Sequence, residues 1–191
     1  MRRALVFALA VLPLSTIAIA SNRDRRFFSA RDGVGVDAPP GWVLSQHNGY
    51  TAVLVTLVHP SGARISVAVD RATVKDAAAL AEQSRPGLGA QGLAVERVAT
   101  GPRGGMLLEA HASKRDQRLR QLYLVRDVGG DQRQAIVLTL VTPSAELQAA
   151  SGAFDWVVAH LSLEAVDRCL QVGEPAALLD GVLVADRGGE Q

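Results

Sequence analysis

Between Gln134 and Glu164 the chain changes its hydrophobic period. Ala135-Ile136-Val137-Leu138-Thr139-Leu140-Val141 is an apolar run carrying a single hydroxyl. A strand covered on both faces reads this way, because neither side needs polar residues. After Thr142-Pro143-Ser144, the residues Leu147, Ala150, Phe154, Val157, Val158 and Leu161 recur at helical spacing and form one apolar stripe. The helix is expected from about Pro143 to Leu161, with Thr142 as its cap and Pro143 at the first position, where no amide donor is needed. Gly152 inside it costs about 1 kcal/mol relative to Ala, which points to close approach to a sheet. The strand is expected at the centre of that sheet and the helix on one face.

Elsewhere the period is mostly two. Arg26 to Ala30 and Val34 to Asp37 flank Arg31-Asp32-Gly33, and Asp-Gly suits a tight hairpin. Pro39-Pro40-Gly41-Trp42 then breaks the strand. Tyr50 to His59 is apolar on both faces, and Pro60-Ser61-Gly62 turns the chain into the alternating segment Ala63 to Arg71. Thr73 is the expected cap of a first helix, with Asp76 in its first turn. Val74, Ala77, Leu80, Ala81 and Ser84 share a face, and Pro86-Gly87 is the expected stop. Four strands follow, over residues 93–100, 105–113, 118–126 and 134–141, parted by Gly101-Pro102-Arg103-Gly104, by Lys114-Arg115-Asp116-Gln117 and by Gly129-Gly130-Asp131. Such closely spaced turns indicate an antiparallel meander.

The start of the chain follows another logic. Met1-Arg2-Arg3, an apolar stretch from Ala4 to Ala20 and Ala18-Ile19-Ala20 before Ser21 read as a secretory signal peptide over residues 1–20. The competing reading is a retained membrane anchor, but the stretch falls short of roughly 20 spanning residues. Residues 21–25 form a short linker, 26–164 the domain, and 165–191 a tail, partly disordered or packed on the domain. Removing residues 1–20 takes away Arg2 and Arg3 and no acid. The 20 Lys and Arg against 19 Asp and Glu then become one more acid than base, which excludes a nucleic-acid binder. Cys169 is the one cysteine, so no intramolecular disulfide exists and the fold rests on its core. Cys169 is read as an inert thiol near the end of the domain, with a reactive free thiol or pairing between chains as the alternatives.

The element order is hairpin, two strands, helix, four strands, helix. It predicts an α+β fold: an α/β/α sandwich with a central, mostly antiparallel sheet of about six to seven strands and one helix on each face. The order resembles the Mog1/PsbP-like fold, and within it the DcrB-related group of bacterial envelope proteins. The residues carrying the resemblance are Val36-Asp37-Ala38-Pro39-Pro40-Gly41-Trp42, the helix at Asp76-Ala77-Ala78-Ala79-Leu80, and Phe154-Asp155-Trp156 through Leu161-Ser162-Leu163. It covers about residues 26 to 164. The resemblance implies a non-catalytic domain working through protein contacts or a small ligand, in envelope or photosystem assembly or as a chaperone of apolar segments. Many members are lipoproteins; the cleavage point here has no lipid-attachment Cys.

Candidate chemistry is sparse. His47, His59, His111 and His160 lack partners at metal-ligand spacing, and no H-E-x-x-H or C-x-x-C motif occurs. No cofactor and no metal are expected. Glu109 and His111 sit two apart on one strand and so share a face; the enzymatic reading is a hydrolase-like proton-transfer pair, the bland one a polar pair on a sheet. Lys114, Arg115, Arg118, Arg120 and Arg126 gather guanidinium groups near one hairpin, suited to a carboxylate or phosphate surface. The competing reading is a solvated tip whose charges prevent edge pairing. Trp42 is expected to cover one end of the core, with ligand stacking as the alternative. These residues are the candidate partner-binding set. The sequence thus predicts a non-enzymatic periplasmic or secreted bacterial protein that binds an envelope protein or peptide. The alternative is a carrier or sensor of a small apolar or anionic ligand in a sheet–helix cleft. No nucleic-acid partner is expected, and membrane contact only if residues 1–20 are retained.

Overall fold

Strand length follows the apolar runs. The computed structural model describes residues 25–45 and 52–165. Residues 1–20, expected to be a signal peptide, residues 21–24 of the expected linker, His47, Tyr50, Cys169 and the expected tail from residue 166 lie outside the described residues. A hairpin of β1 (Arg26–Ser29) and β2 (Val34–Asp37) is followed by β3 (Val43–Ser45), β4 (Val53–Val58) and β5 (Arg64–Arg71). Helix α1 (Ala77–Ala90) leads into β6 (Ala94–Thr100), β7 (Met106–Ala112), β8 (Gln117–Gly129) and β9 (Gln132–Pro143). Helix α2 (Leu147–His160) and β10 (Ser162–Leu163) close the domain. The large sheet has the order β3-β4-β5-β9-β8-β7-β6 and a small one the order β1-β2-β10, every pairing antiparallel.

Strand β9 is the fourth of the seven, at the centre, as its two-sided apolarity predicts. Ile136, Leu138 and Leu140 enter the core under α2 with Phe154, Val157 and Val158. Ala135, Val137 and Val141 face the core under α1 with Leu80, Ala81 and Leu88. One helix therefore lies on each face, in the α+β architecture expected. The polar residues Gln121, Thr139 and Tyr123 are buried on the α1 side and satisfy one another. Gln121 Nε2 donates to Thr139 Oγ1 at 3.0 Å, and the Tyr123 hydroxyl donates to Gln121 Oε1 at 2.5 Å.

Cover is staggered between the faces. On the α1 side the helix packs on β6, β7 and β8. The half-face formed by β3, β4, β5 and the near side of β9 carries no helix among the described residues. On the other side α2 and the small sheet cover the opposite half through Val34, Val36, Trp42 and Phe154. The small sheet was not foreseen; Ser162 and Leu163, read as the end of the helix, pair with Gly35 and Val34 instead.

Helix boundaries differ from the sequence reading for identifiable reasons. Asp76, not Thr73, caps α1, its Oδ1 accepting from Ala79 N at 2.8 Å. The helix continues through Pro86 to Ala90. Pro86 and Glu82 are both exposed, so the Glu82 carbonyl, deprived of its helical donor, can bond to water while Leu88 stays buried. Thr142 caps nothing: it is buried in β9 opposite Arg118, and a short 3-10 turn at Ser144–Glu146 precedes α2. Gly152 lies exposed on α2, and a Cβ there would meet nothing within 4 Å, so the close approach expected of it does not occur.

Two measurements follow from this packing. Gly152→Ala is expected to raise the unfolding free energy by about 0.5–1 kcal/mol in urea titration, since it gains helix propensity without a clash. Burial pushes the Tyr123 phenol up to about 12, with Ser84 partly opposing. The folded state thus holds its proton above the ordinary value of about 10, and the stabilisation present below pH ~10 is lost as pH rises towards ~12. Tyr123→Phe, compared with the unsubstituted protein over that window, should lose this part of the alkaline decline.

Candidate functional site

Alternation on β6, β7 and β8 sends apolar residues towards α1 and charged ones to the other face, beside α2. Arg97 pairs across to Glu109 and Glu109 to Arg120; His111 pairs to Arg118. In the Arg97–Glu109 and Glu109–Arg120 pairs opposite charges thus sit directly opposite each other, the favourable cross-strand arrangement. The register of β6 shifts between Val95 and Arg97, a bulge that inserts Glu96. Its carboxylate lies 2.6 Å from Arg118 Nη1 and 2.8 Å from His111 Nδ1. The histidine contact is an ion pair only when the imidazole is protonated, and Nδ1 makes no aligned hydrogen bond.

Arg120 is the most enclosed member, its side chain only 18% exposed. It meets Asp155 Oδ1 at 3.0 Å and Glu109 Oε1 at 3.5 Å, and its guanidinium lies 5.4 Å from the centre of the Phe154 ring. That last contact is a cation–π geometry. Glu109 and His111 share a face as predicted, yet each is engaged by a different partner. Glu109 belongs with Arg97 and Arg120, and His111 with Glu96.

The five basic candidates do not form one cluster. Lys114 and Arg115 stand exposed on a 3-10 turn between β7 and β8. Arg118 and Arg120 follow at the start of β8. Arg126 lies towards the other end of the strand, about 27 Å from Arg118 at ~3.4 Å per residue. Its guanidinium is structural. Nη2 donates to the carbonyls of Asp32 at 2.7 Å and Gly33 at 3.3 Å, Nη1 to that of Glu164 at 2.9 Å, and Nε to Gln134 Oε1 at 2.8 Å. Gly33 has φ +58°, and a Cβ there would come within 2.5 Å of the Glu164 carbonyl, so this crossing requires glycine. Burial draws the Arg126 pKa down and the Asp32 charge partly restores it.

Trp42 is buried at one end of the core and stacks obliquely on His59, ring centres 5.3 Å apart. Ser61 N donates to His59 Nδ1 at 3.2 Å, so the neutral ring carries its proton on Nε2. Trp42 thus stands on the opposite face from the pocket described next.

That pocket has a volume of about 290 Å3 and lies where the end of α1 meets the β7–β8 turn. Leu93, Ala112, Leu119 and Val141 line it with Ala90, and Gln91, Gln117, Arg115 and Arg118 surround them. Of the predicted basic residues, Arg115 therefore stands at the cavity with its charge unpaired among the described residues, while Arg118 borders it but turns its guanidinium to Glu96 on the opposite face. Its apolar floor was missed, because Leu93, Leu119 and Val141 look like any other strand residues in the sequence. Among the described residues, no group of three His, Cys, Asp or Glu side chains is placed to hold a metal, and no helix is long and apolar enough to cross a membrane.

No family model matches the chain, and no curated protein matches it in sequence. Solved structures match it in shape. Cyanobacterial PsbP (CyanoP) from Synechocystis sp. PCC 6803 superposes with a TM-score of 0.52 at 15% identity, over 72% of this chain and 91% of that one. LpqN, involved in cell envelope biogenesis of Mycobacterium tuberculosis, superposes with a TM-score of 0.53 at 15% identity, over 69% of this chain and 83% of that one. At such identity the likeness is one of fold, and the fold is PsbP-like.

Arg126→Ala is expected to cost about 2 kcal/mol in urea unfolding, since hydrogen bonds from a charged donor to three carbonyls are lost together. Arg126→Lys should recover less than half of that, because an ammonium cannot span these acceptors as a guanidinium does.

Proposed function

We propose that this chain is a non-enzymatic extracytoplasmic protein of a bacterial envelope that acts by binding a protein or peptide partner. The observation that carries this reading is the half-face of the large sheet left, among the described residues, without a helix on the α1 side. Register puts Val43, Val58, Arg64 and Val141 in one row across β3, β4, β5 and β9, and Ser45, Thr56 and Ser66 in the next. Val43 is 64% exposed. A mixed aliphatic and hydroxyl surface with one arginine suits a polypeptide, which brings both side chains and amides. The shape shared with LpqN, a protein of cell envelope biogenesis, supports the compartment. So does the signal-peptide pattern of residues 1–20, whose removal would leave residues 26–164 as the working domain. Membership of the DcrB-related group belongs to the same proposal and rests on Val36 to Trp42 and the terminal helix.

Lys114, Arg115 and Arg118 remain partner-contact candidates in this reading. Arg120, Arg126 and Trp42 are occupied by contacts within the domain and would act by holding the surface in shape. A second reading, a small anionic or apolar ligand, is favoured by one observation, the cavity beside Arg115.

The test is cross-linking capture from envelope extracts of the source bacterium, using the domain from residue 21 onward. A partner is expected whose capture falls at least about tenfold with Val43→Asp combined with Arg64→Glu. Capture unchanged by that pair, or no partner at all, counts against the reading.

A further inference from the structure

The pocket at the end of α1 and the open half-face are continuous. Leu119 lines the pocket and pairs with Val141; Val141 pairs with Arg64, Arg64 with Val58, and Val58 with Val43. One row of side chains thus runs from the cavity to the edge strand, across four strand spacings or about 19 Å. At the cavity end the row is closed by the 3-10 turn that carries Lys114 and Arg115.

We propose that this pocket receives the C-terminal residue of a peptide partner: an aliphatic side chain in the cavity and the terminal carboxylate on Arg115. The inference rests on the peptide-binding reading above and names the end of the peptide that is recognised.

Three features define the chemistry. The volume of about 290 Å3 is at the lower end for a ligand site; it fits one compact side chain with its carboxylate rather than a drug-sized molecule. The floor of Leu93, Ala112, Leu119 and Val141 contributes nothing to charge recognition and suits Val or Leu. The cation is available. Arg115 is exposed and makes no ion pair or hydrogen bond among the described residues, whereas Arg118 turns to the other face of the sheet, onto Glu96. A fork of guanidinium donors matches a carboxylate in shape as well as sign.

The end of α1 does not oppose this. A helix C-terminus repels anions through its open carbonyls, but those of Gly87, Leu88 and Gly89 accept from the N–H groups of Gln91, Gly92 and Leu93. Asp116, next to Arg115, turns its carbonyl to Ser144 N at 3.1 Å. A free aliphatic acid would satisfy the cavity and leave the row from Val141 to Val43 bare. The residues preceding a peptide terminus cover it, and the side-chain amides of Gln91 and Gln117 stand at the rim to meet backbone groups.

The experiment is fluorescence anisotropy of the domain with a labelled peptide of about six residues ending in Val-Ala-Leu with a free carboxylate. Saturable binding is expected, weakened at least about tenfold when the terminus is an amide, by Arg115→Glu, and by Ala90→Trp, which narrows the cavity without changing charge. Arg133→Glu, an equal charge change on β9 beside the far end of β8, is expected to leave binding unchanged. Equal binding of acid and amide overturns the assignment, as does displacement by octanoate at the same concentration as by unlabelled peptide. If these peptides fail to bind while cross-linking capture still depends on Val43 and Arg64, the terminal-carboxylate inference falls and the peptide-partner reading stands. If both fail, the reading itself falls.

Discussion

The rest of the domain depends on one strand being dry on both sides. β9 presents Ile136, Leu138 and Leu140 to one core and Ala135, Val137 and Val141 towards the other. A strand so placed cannot slip by one residue without exchanging the two cores. It also leaves few places for polar groups. Thr139 is tolerated because Gln121 and Tyr123 complete its bonding. Gln134 is tolerated because it accepts from Arg126 and donates to the Asp32 carbonyl at 3.1 Å. Polar residues that enter the centre of this sheet arrive with partners; the others are displaced towards β6 and the turns.

That displacement shapes the surface. The lattice of Glu96, Arg97, Glu109, Arg118 and Arg120, with His111 beside Glu96, alternates in sign, and its members are exposed or half-buried. Pairs of this kind contribute about 0–1 kcal/mol each, so their main effect is to keep the β6 edge from pairing with another chain. Arg120 differs, being held between Asp155 and Phe154 and thereby fixing α2 to the sheet. Arg115 differs in the other direction, having no acid on it among the described residues. Among the basic residues near the β7–β8 turn, the availability of charge is therefore concentrated beside the cavity.

The sequence made legible whatever depends on period. The order of elements, the central place of β9, the shared face of Glu109 and His111 and the apolar stripe of α2 all follow from spacings of two or of three and four. What it hid depends on tertiary compensation. Pro86 reads as a stop, yet burial of Leu88 beyond it carries the helix on. Thr142-Pro143 reads as a helix start, yet the ladder with β8 holds both residues in the strand. Gly152 reads as a close contact and is exposed. Arg126 reads as one of a basic cluster, and nothing local reveals that Asp32, Gly33 and Glu164 bring their carbonyls to it. The cavity was half legible: charge at a turn marks Arg115 and Arg118, whereas the floor is assembled from three strands and the segment after α1.

The clamp on Arg126 also sets an orientation. It fastens the backbone at Glu164 to one end of β8, while Arg115 and the cavity stand at the other end of the same thirteen-residue strand. Glu164 is thereby held roughly 30 Å from the pocket, at ~3.4 Å per residue between Arg126 and Gln117. Whatever engages the protein at Glu164, a surface support or a second domain, holds it by the end away from the cavity. Immobilised through that end, the molecule displays its basic turn outward.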